Sequence, residues 1–327
     1  MKYRILELLR QESGYLSGQE MSTLLGVSRA AVWKAVEALR KEGYTIDSAP
    51  NRGYHLDAPT GRLSAREIAA RLDGHPWAEL VQVLDSVDST NNLAKTLAAQ
   101  GAPAGTVIVA DSQTGGRGRM GRSFVSPPGV GVYLSVILRP EAPPEELMHL
   151  TCAVAEVLCD GIEVASGLRP GIKWTNDLVS GGRKLCGILT ELSLEAESGH
   201  VQYAVVGAGV NCDQTLSDFP PEIRDMAGSL SMLTGKAVSR NALAAEMIRA
   251  LSRLDGDLVE NRQEWMDRYR RDCVTIGRAV SVSRAGETRW GQAVDVDDRG
   301  ALLVDFGQGP EAVQSGEVSV RGMYGYV

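Results

Sequence analysis

The sequence predicts an α+β protein in three parts: an N-terminal winged helix-turn-helix over residues 1–60, a central mixed α/β domain over 63–271, and a small SH3-like β-barrel over 275–327. Three observations lead there. Two short helical apolar patterns meet at Gly26-Val27 and are followed by a hairpin pattern. A glycine- and arginine-rich stretch, Ser112 to Arg122, is framed by strand-like runs at Ala104–Ala110 and Gly131–Leu138. The chain closes on short alternating strands split by Asp297-Asp298-Arg299-Gly300 and Gly307-Gln308-Gly309, which is the pattern of a small barrel.

Composition narrows the class. With 327 residues, 43% hydrophobic and 23% charged, the chain is large enough for several ordinary globular domains. Its apolar runs are strand-length, well short of the roughly 20 residues a membrane helix needs. Met1 to Arg10 carries charge within an amphipathic pattern rather than a signal peptide, so the expectation is a cytoplasmic protein with no membrane partner. Cys152, Cys159, Cys186, Cys212 and Cys273 form no Cys-x-x-Cys pair, which favours reduced core thiols over disulfides or zinc. The histidines are scattered, and no protein metal site is expected. A net charge of −7 argues against a protein that coats nucleic acid and leaves room for a local DNA-binding surface.

Taken in order, Ile5, Leu8 and Leu9 mark a first helix, and Met21, Leu24 and Leu25 a second that stops at Gly26. Ser28 is a good N-cap for a third helix, which buries Val32, Val36 and Leu39 at helical spacing and leaves its first turn exposed. In helix-turn-helix geometry Ser28, Arg29, Ala31 and Lys34 face the major groove. Gly43 to Ile46, a turn at Ala49 to Gly53, and Tyr54 to Leu56 make the wing, with Arg52 at its tip. Acidic and basic residues nearly balance here, so a protein-binding helical domain is the alternative, and DNA affinity would need two half-sites joined by dimerisation elsewhere.

Asp57 to Gly61 reads as a linker, and Ser64-Ala65-Arg66-Glu67 as a capping box opening the next part. A strand at Leu80–Leu84 leads through Ser89-Thr90-Asn91 into an amphipathic helix. Capping needs one of those three residues, and the others are free to bind a small polar head such as a urea or amide. In the stretch Ser112 to Arg122 glycines let the backbone approach a ligand, and arginine forks bind phosphate oxygens in pairs. A loop closing over a polyphosphate, an RNA-clinging Arg-Gly segment and a solvated loop all fit, and the flanking strands, which set the stretch inside a folded domain, count against the RNA-clinging arm. Leu147–Leu158 reads as a buried helix, Ile172–Leu178 and Leu185–Glu191 as strands, and Gly181 to Lys184 as a turn whose lysine is either solvated, the commoner case for an isolated lysine, or held as an ammonium near the interior. Tyr203 to Asn211 alternates glycine with small apolar residues, leaving space for a backbone or flat ligand. Helical patterns at Ala242–Leu258 and Glu264–Arg270 precede the barrel strands Ala279–Ser283, Arg289–Val296, Ala301–Phe306 and Ala312–Val320.

Gly116-Arg117-Gly118-Arg119-x-Gly121-Arg122 with Ser126-Pro127-x-Gly129, then Lys173-Trp174-x-Asn176-Asp177, Lys184-Leu185-x-Gly187-Ile188-Leu189 and Gly207-x-Gly209-x-Asn211, resemble the biotin-protein ligases in order and spacing. With the winged helix and the small barrel, the resemblance covers essentially the full chain, in the form that is both ligase and repressor. It implies a class II synthetase-like catalytic domain, biotin and ATP with Mg²⁺ on its phosphates, and a biotinyl-5′-adenylate passed to a lysine of the biotin carboxyl carrier protein of acetyl-CoA carboxylase or another biotin carboxylase. It also implies operator DNA and an adenylate-bound homodimer.

By matching position, Ser89, Thr90 and Asn91 bind the ureido head, Gln113 lies in the biotin site, and Arg117, Gly118 and Arg119 hold the carboxylate and then the adenylate. Lys184, Arg119 and Asp177 form the catalytic group, with Asn176 beside them. Gly116, Arg122, Gly187 and Asn211 complete the binding set, and Arg321 matches an arginine that meets the catalytic domain. Thr175 stands where many members have proline, and Phe124 where many have tryptophan. The alternatives are a biotin-sensing transcription factor without ligase activity, which would not need Arg117, Arg119 and Lys184, and a lipoate-protein ligase.

Overall fold

The computed structural model describes residues 1–12, 14–41, 44–50, 52–56, 61–195, 199–256, 258–284, 287–314 and 319–322. It divides into two compact units, Met1–Arg62 and Leu63–Val327. Most of the expected linker, residues 57–60, lies outside the described residues, as do Gly43 and Asn51 of the wing.

The first unit contains α1 (Lys2–Gln11), α2 (Gly18–Leu25), α3 (Arg29–Lys41) and a hairpin of β1 (Ile46–Ala49) and β2 (Gly53–Leu56). Ser17 opens α2 with a full capping box: its hydroxyl accepts from the Glu20 amide at 3.1 Å, and its own amide donates to the Glu20 carboxylate at 3.0 Å. Gly26, at φ 63°, ends α2 in the left-handed conformation that glycine adopts without a Cβ clash. The Ala31 amide then donates to the Ser28 hydroxyl at 3.2 Å, opening α3 as expected. Ile5, Leu9, Met21, Val32, Val36 and Leu39 close a small core. Tyr44, expected in the wing strand, packs into this core instead, and the strand begins at Ile46.

The second unit starts with α4 (Ala65–Leu72), β3 (Val81–Leu84), α5 (Thr90–Ala99), β4 (Val107–Ala110), β5 (Gly131–Leu138) and α6 (Leu150–Ser166). It continues with β6 (Gly171–Lys173), β7 (Asp177–Ser180), β8 (Arg183–Leu194) and β9 (Val201–Asn211). Next come α7 (Leu230–Thr234), α8 (Arg240–Ser252), α9 (Arg262–Asp272) and β10 (Ala279–Arg284). Last are β11 (Glu287–Val296), β12 (Leu302–Asp305), β13 (Pro310–Val313) and β14 (Ser319–Gly322).

Seven strands form a mixed sheet in the order β3-β4-β5-β9-β8-β7-β6, with only β3 and β4 parallel, and five form an antiparallel sheet in the order β13-β12-β11-β10-β14. Successive strand residues point to opposite faces, so Val132, Leu134 and Val136 of β5 and Ala204, Val206 and Val210 of β9 pack under the helices. Ile137, Tyr203 and Val205 turn to the other face, where α5 supplies Ala94 and Ala98. Among the described residues no helix is long and apolar enough to cross a membrane. The five cysteines are free and buried, and burial pushes the Cys186 thiol up to about 12.

Several expected elements are redrawn. Ser64 caps α4 by accepting from the Glu67 amide, but the Ser64 amide donates to Asn241 Oδ1 at 2.9 Å, a tertiary partner in place of the reciprocal arm of the box. The helix expected at Leu147–Leu158 runs Leu150–Ser166, because Pro144–Leu147 forms a separate 3₁₀ turn and Gly167 supplies the left-handed stop. Ile172–Leu178 is a hairpin rather than a strand: Lys173 pairs with Asp177 across a turn at Trp174-Thr175-Asn176. Ala312–Val320 divides into β13 and β14, and β14 pairs with β10. The Arg321 side chain is outside the described residues.

Behind the sheet, Glu156 of α6 is fully buried and meets Arg169 at 2.8 Å and Arg268 at 2.9 Å. Burial alone would raise the Asp160 pKa, but hydrogen bonds from Arg169, Arg268 and Arg253 outweigh it and bring it from 3.8 to about 2. A depressed carboxylate stabilises the fold above its ordinary pKa and loses that contribution as pH falls through the folded value, so the Asp160 share fades between about pH 4 and 2. Arg169→Met is expected to destabilise the fold by roughly 3 kcal/mol, the low end for stripping one partner from a buried pair, because Arg268 still reaches Glu156. Urea unfolding at neutral pH checks the size, and repeating it toward pH 2 should narrow the difference from wild type.

Candidate functional site

The face of the sheet shared with α5 is where the cavity lies. In β9 the residues facing that way after Val205 are Gly207 and Gly209, which pair in register with Ser135 and Tyr133 of β5 and with Leu189 and Gly187 of β8. A Cβ on Gly207 would stand 2.0 Å from Asn91 Oδ1, and one on Gly209 2.5 Å from the Phe124 ring. Only hydrogen at these positions lets α5 and the Gly-Arg loop approach the sheet. The result is a cavity of about 580 Å³ bordered by the start of α5, residues 117–124, the 173–177 turn and the middle of β8 and β9.

One end is neutral and polar. Ser89 is the N-cap residue of α5, yet its hydroxyl makes no capping bond. The cap comes from the segment after the neighbouring strand β4: the Thr90 amide donates to Gln113 Oε1 at 2.9 Å, and the Gln113 amide nitrogen donates to Ser126 Oγ at 2.9 Å. Asn91 donates to the Leu189 carbonyl at 3.2 Å and to Glu191 at 2.9 Å, while its Oδ1 accepts from Ser135 at 2.6 Å. Its amide is thus spent on organising the wall. Burial would raise the Glu191 pKa, but bonds from Lys95 and Asn91 hold it below its ordinary value, so this carboxylate stays charged as a brace. Ser89, Thr90 and Gln113 remain on the cavity lining as the groups that can meet a urea or amide.

The other end is cationic. Arg117, Arg119 and Arg122 line it from the Gly-Arg loop, and Lys184 from the start of β8. Arg117 donates to Asn92 Oδ1 at 3.1 Å and Arg119 to Asn176 Oδ1 at 3.1 Å. Asn176 is held in turn, donating to the Ile188 carbonyl at 2.8 Å. Burial pushes the Arg119 pKa down, against the opposing pull of Asp177, yet a guanidinium stays charged throughout the working range. Lys184 Nζ forms an ion pair with Asp177, and the Lys184 amide donates to the Met226 carbonyl at 2.7 Å, which fixes the base of the side chain. Fixed positive charges around a cleft suit the holding together of two anions.

Of the residues expected at the site, Ser89, Thr90, Asn91, Gln113, Arg117, Gly118, Arg119, Arg122, Asn176, Asp177, Lys184 and Gly187 line this one cavity. Gly116 and Asn211 do not. A Cβ on Gly116 would fall 2.3 Å from the Phe124 carbonyl, so its place is in packing the loop onto itself. Asn211 is buried and donates to the Gly228 carbonyl at 3.0 Å, tying the end of β9 to the segment beside Lys184. The lining also includes Phe124, Lys173, Trp174 and Met226. The motif containing Lys173-Trp174 signalled two of these, whereas nothing local in the sequence marks Met226, which arrives from a distant segment. Among the described residues no three His, Cys, Asp or Glu side chains gather in a metal-holding group.

The first unit carries a separate surface. Ser28, Arg29 and Lys34 are exposed on α3 with Trp33 between them, and Ala31 is half-buried. Arg40 instead faces inward, donating to the Ile46 carbonyl at 2.9 Å and so joining α3 to the hairpin. Arg52 at the wing stacks its guanidinium 4.2 Å from the centre of the Tyr15 ring.

The sequence matches the Biotin/lipoate A/B protein ligase family over residues 83–211, an HTH domain over 2–55 and the Biotin protein ligase C terminal domain over 275–321. It is 36% identical over 322 residues to the Bifunctional ligase/repressor BirA of Bacillus spizizenii, covering 97% of each chain. It is 31% identical over 306 residues to the protein of that name from Escherichia coli, covering 93% of this chain and 92% of that one. The solved Biotin protein ligase from Aquifex aeolicus in complex with biotin and ATP matches the fold with a TM-score of 0.64 at 28% identity, over 74% of this chain and 98% of that one.

Gly207→Ala is expected to push Asn91 off Ser135 and Glu191, at a cost of about 1–3 kcal/mol for overpacking. Urea unfolding measures it; an unchanged midpoint would mean that Asn91 can leave the wall without penalty.

Proposed function

This chain belongs to the family of bifunctional biotin ligase/repressors, and from that premise we propose that it activates biotin with ATP and binds operator DNA as a repressor. The acid is converted to biotinyl-5′-AMP with release of pyrophosphate, and the biotinyl group then passes to a lysine of a biotin carboxyl carrier protein. The single observation that carries the ligase half is one cavity that joins a neutral hydroxyl-and-amide end to an end lined by Arg117, Arg119, Arg122 and Lys184.

In the first step a biotin carboxylate oxygen attacks the α-phosphorus, and the bond to pyrophosphate breaks. Both partners are anions, so the chain's task is to hold them in line and offset their charge. Ser89, Thr90 and Gln113 bind the ureido head, Arg117 and Arg119 hold the carboxylate and then the adenylate, and Lys184 turns from Asp177 to the α-phosphate. Mg²⁺ carried on the ATP phosphates would neutralise their charge; Asp177, the one carboxylate on the described lining, is paired with Lys184, a donor set that suits an ion carried by phosphates rather than by the protein. In the second step the carrier lysine amine attacks the acyl carbon, AMP leaves, and Asp177, released from Lys184, takes the amine proton.

For repression, Ser28, Arg29, Ala31 and Lys34 present the start of α3 to base edges and phosphates, with Arg52 on the wing. A module with nearly balanced charge gains affinity by pairing, so the adenylate-bound form acts on DNA as a homodimer that engages two half-sites.

ATP–pyrophosphate exchange with Mg²⁺ and biotin, repeated with lipoate, tests the activation, and labelled transfer to a carrier domain tests the second step. Biotin-dependent exchange and transfer are expected, and exchange with lipoate alone would replace the reading. Lys184→Ala should slow single-turnover adenylation by about 10²-fold or more, since one contact to developing charge in a closed site is worth roughly 2–4 kcal/mol. A near-normal rate would remove Lys184 from the role. Arg29→Ala should abolish operator binding in a gel-shift assay and leave ligation intact; a parallel loss of both would make Arg29 structural.

A further inference from the structure

The turn that carries Lys173, Trp174 and Asn176 into the cavity is held from behind by residues that touch no part of the cavity. The Trp174 amide donates to Thr275 Oγ1 at 2.9 Å, and its indole Nε1–H donates to the Gly300 carbonyl at 3.0 Å. The Thr175 carbonyl accepts from the Tyr269 hydroxyl at 3.2 Å. Just before the turn, the Val274 amide donates to the Ile172 carbonyl at 2.9 Å, so the connector from α9 to the C-terminal sheet runs as an extra edge beside β6. Thr275 is 6% exposed and Tyr269 fully buried, which shields these bonds from competing water. Gly300 is itself wedged: a Cβ there would stand 2.9 Å from Cys152 Sγ of α6, which fixes the height of its carbonyl.

On the cavity side, the same turn sets the charges. Asn176 accepts from Arg119, and Asp177, the next residue, pairs with Lys184. A shift of the turn therefore moves Arg119 and Lys184 together. The Ser89–Gln113 end is braced separately by Ser126, Ser135 and Glu191.

We propose that Thr275, Tyr269 and the Gly300 carbonyl are positioning groups for adenylation: the C-terminal segments set the 173–177 turn, and through it the cationic end of the cavity, without touching substrate. The inference rests on the ligase reading above. Small displacements of a positioned group by about 1 Å can cost up to ~10²-fold in rate, so loosening one of these bonds should act on chemistry ahead of binding.

The experiment uses the full chain with Thr275→Val, which keeps the shape and removes the acceptor, and Thr275→Ser, which restores it. Single-turnover adenylation, equilibrium biotin binding and the thermal midpoint are read on each. Thr275→Val should adenylate about tenfold more slowly with biotin affinity nearly unchanged, and Thr275→Ser should recover the wild-type rate. Tyr269→Phe, which removes only the hydroxyl, should show the same split and serves if Thr275→Val does not fold. A wild-type rate in both variants would overturn the positioning role, as would rate and biotin affinity falling together. A wild-type chain that forms no adenylate from biotin would instead overturn the ligase reading on which it rests.

Discussion

A β-strand sends alternate side chains to opposite faces, and in β9 that alternation meets a requirement no larger residue could satisfy. Ala204, Val206 and Val210 close the core under the helices, while Gly207 and Gly209 leave the other face bare of side chains beyond Val205. Asn91 and Phe124 then lie directly on the backbone of the sheet. Filling either position would drive out the wall residue above it and close the space between the sheet and the Gly-Arg loop. The cavity is thus an outcome of strand register: a slip of one residue would place the glycines in the core and the valines in the site.

Around that floor, polar groups are sorted by how fully the protein satisfies them. Asn91, Glu191 and Lys95 are bonded to one another and act as scaffold. The arginines of residues 117–122 project from a loop whose backbone closes on itself, with Gly118 donating to the Arg122 carbonyl at 2.7 Å. Charges held this way need little rearrangement when an anion enters, which is the condition for electrostatic stabilisation in a partly enclosed site. The cluster of Asp160, Arg169 and Arg268 around the buried Glu156 uses the same residue types to join α6 to α9, away from the cavity lining. Residue type alone does not separate the two uses; the neighbours do.

The division between legible and hidden features follows the range of the interactions. Apolar period and turn chemistry are local, so α2 and α3 with Gly26 and Ser28 between them, the full length of β5, and the run through β9 could be read directly. The wing strand began later than expected because Tyr44 found a place in the small core. The stretch 172–178 became a hairpin because its turn is bonded to Thr275, Gly300 and Tyr269, each about a hundred residues away in the chain. The capping box at Ser64 was half replaced by Asn241 for the same reason.

Sequence by itself determined the parts list: a helix-turn-helix with its exposed first turn, a glycine-arginine loop between strands, a lysine beside a tight turn, and motif spacings that resemble one family throughout the chain. Those features depend on neighbours within a few residues. Tertiary structure alone decided that Gln113 caps α5, that the Asn91 amide is bonded to Leu189, Glu191 and Ser135, that Gly116 and Asn211 stand outside the cavity lining, and that Met226 enters it. Each of these depends on which strands pair and in what register, and that is set by burying the whole core at once rather than by any local stretch.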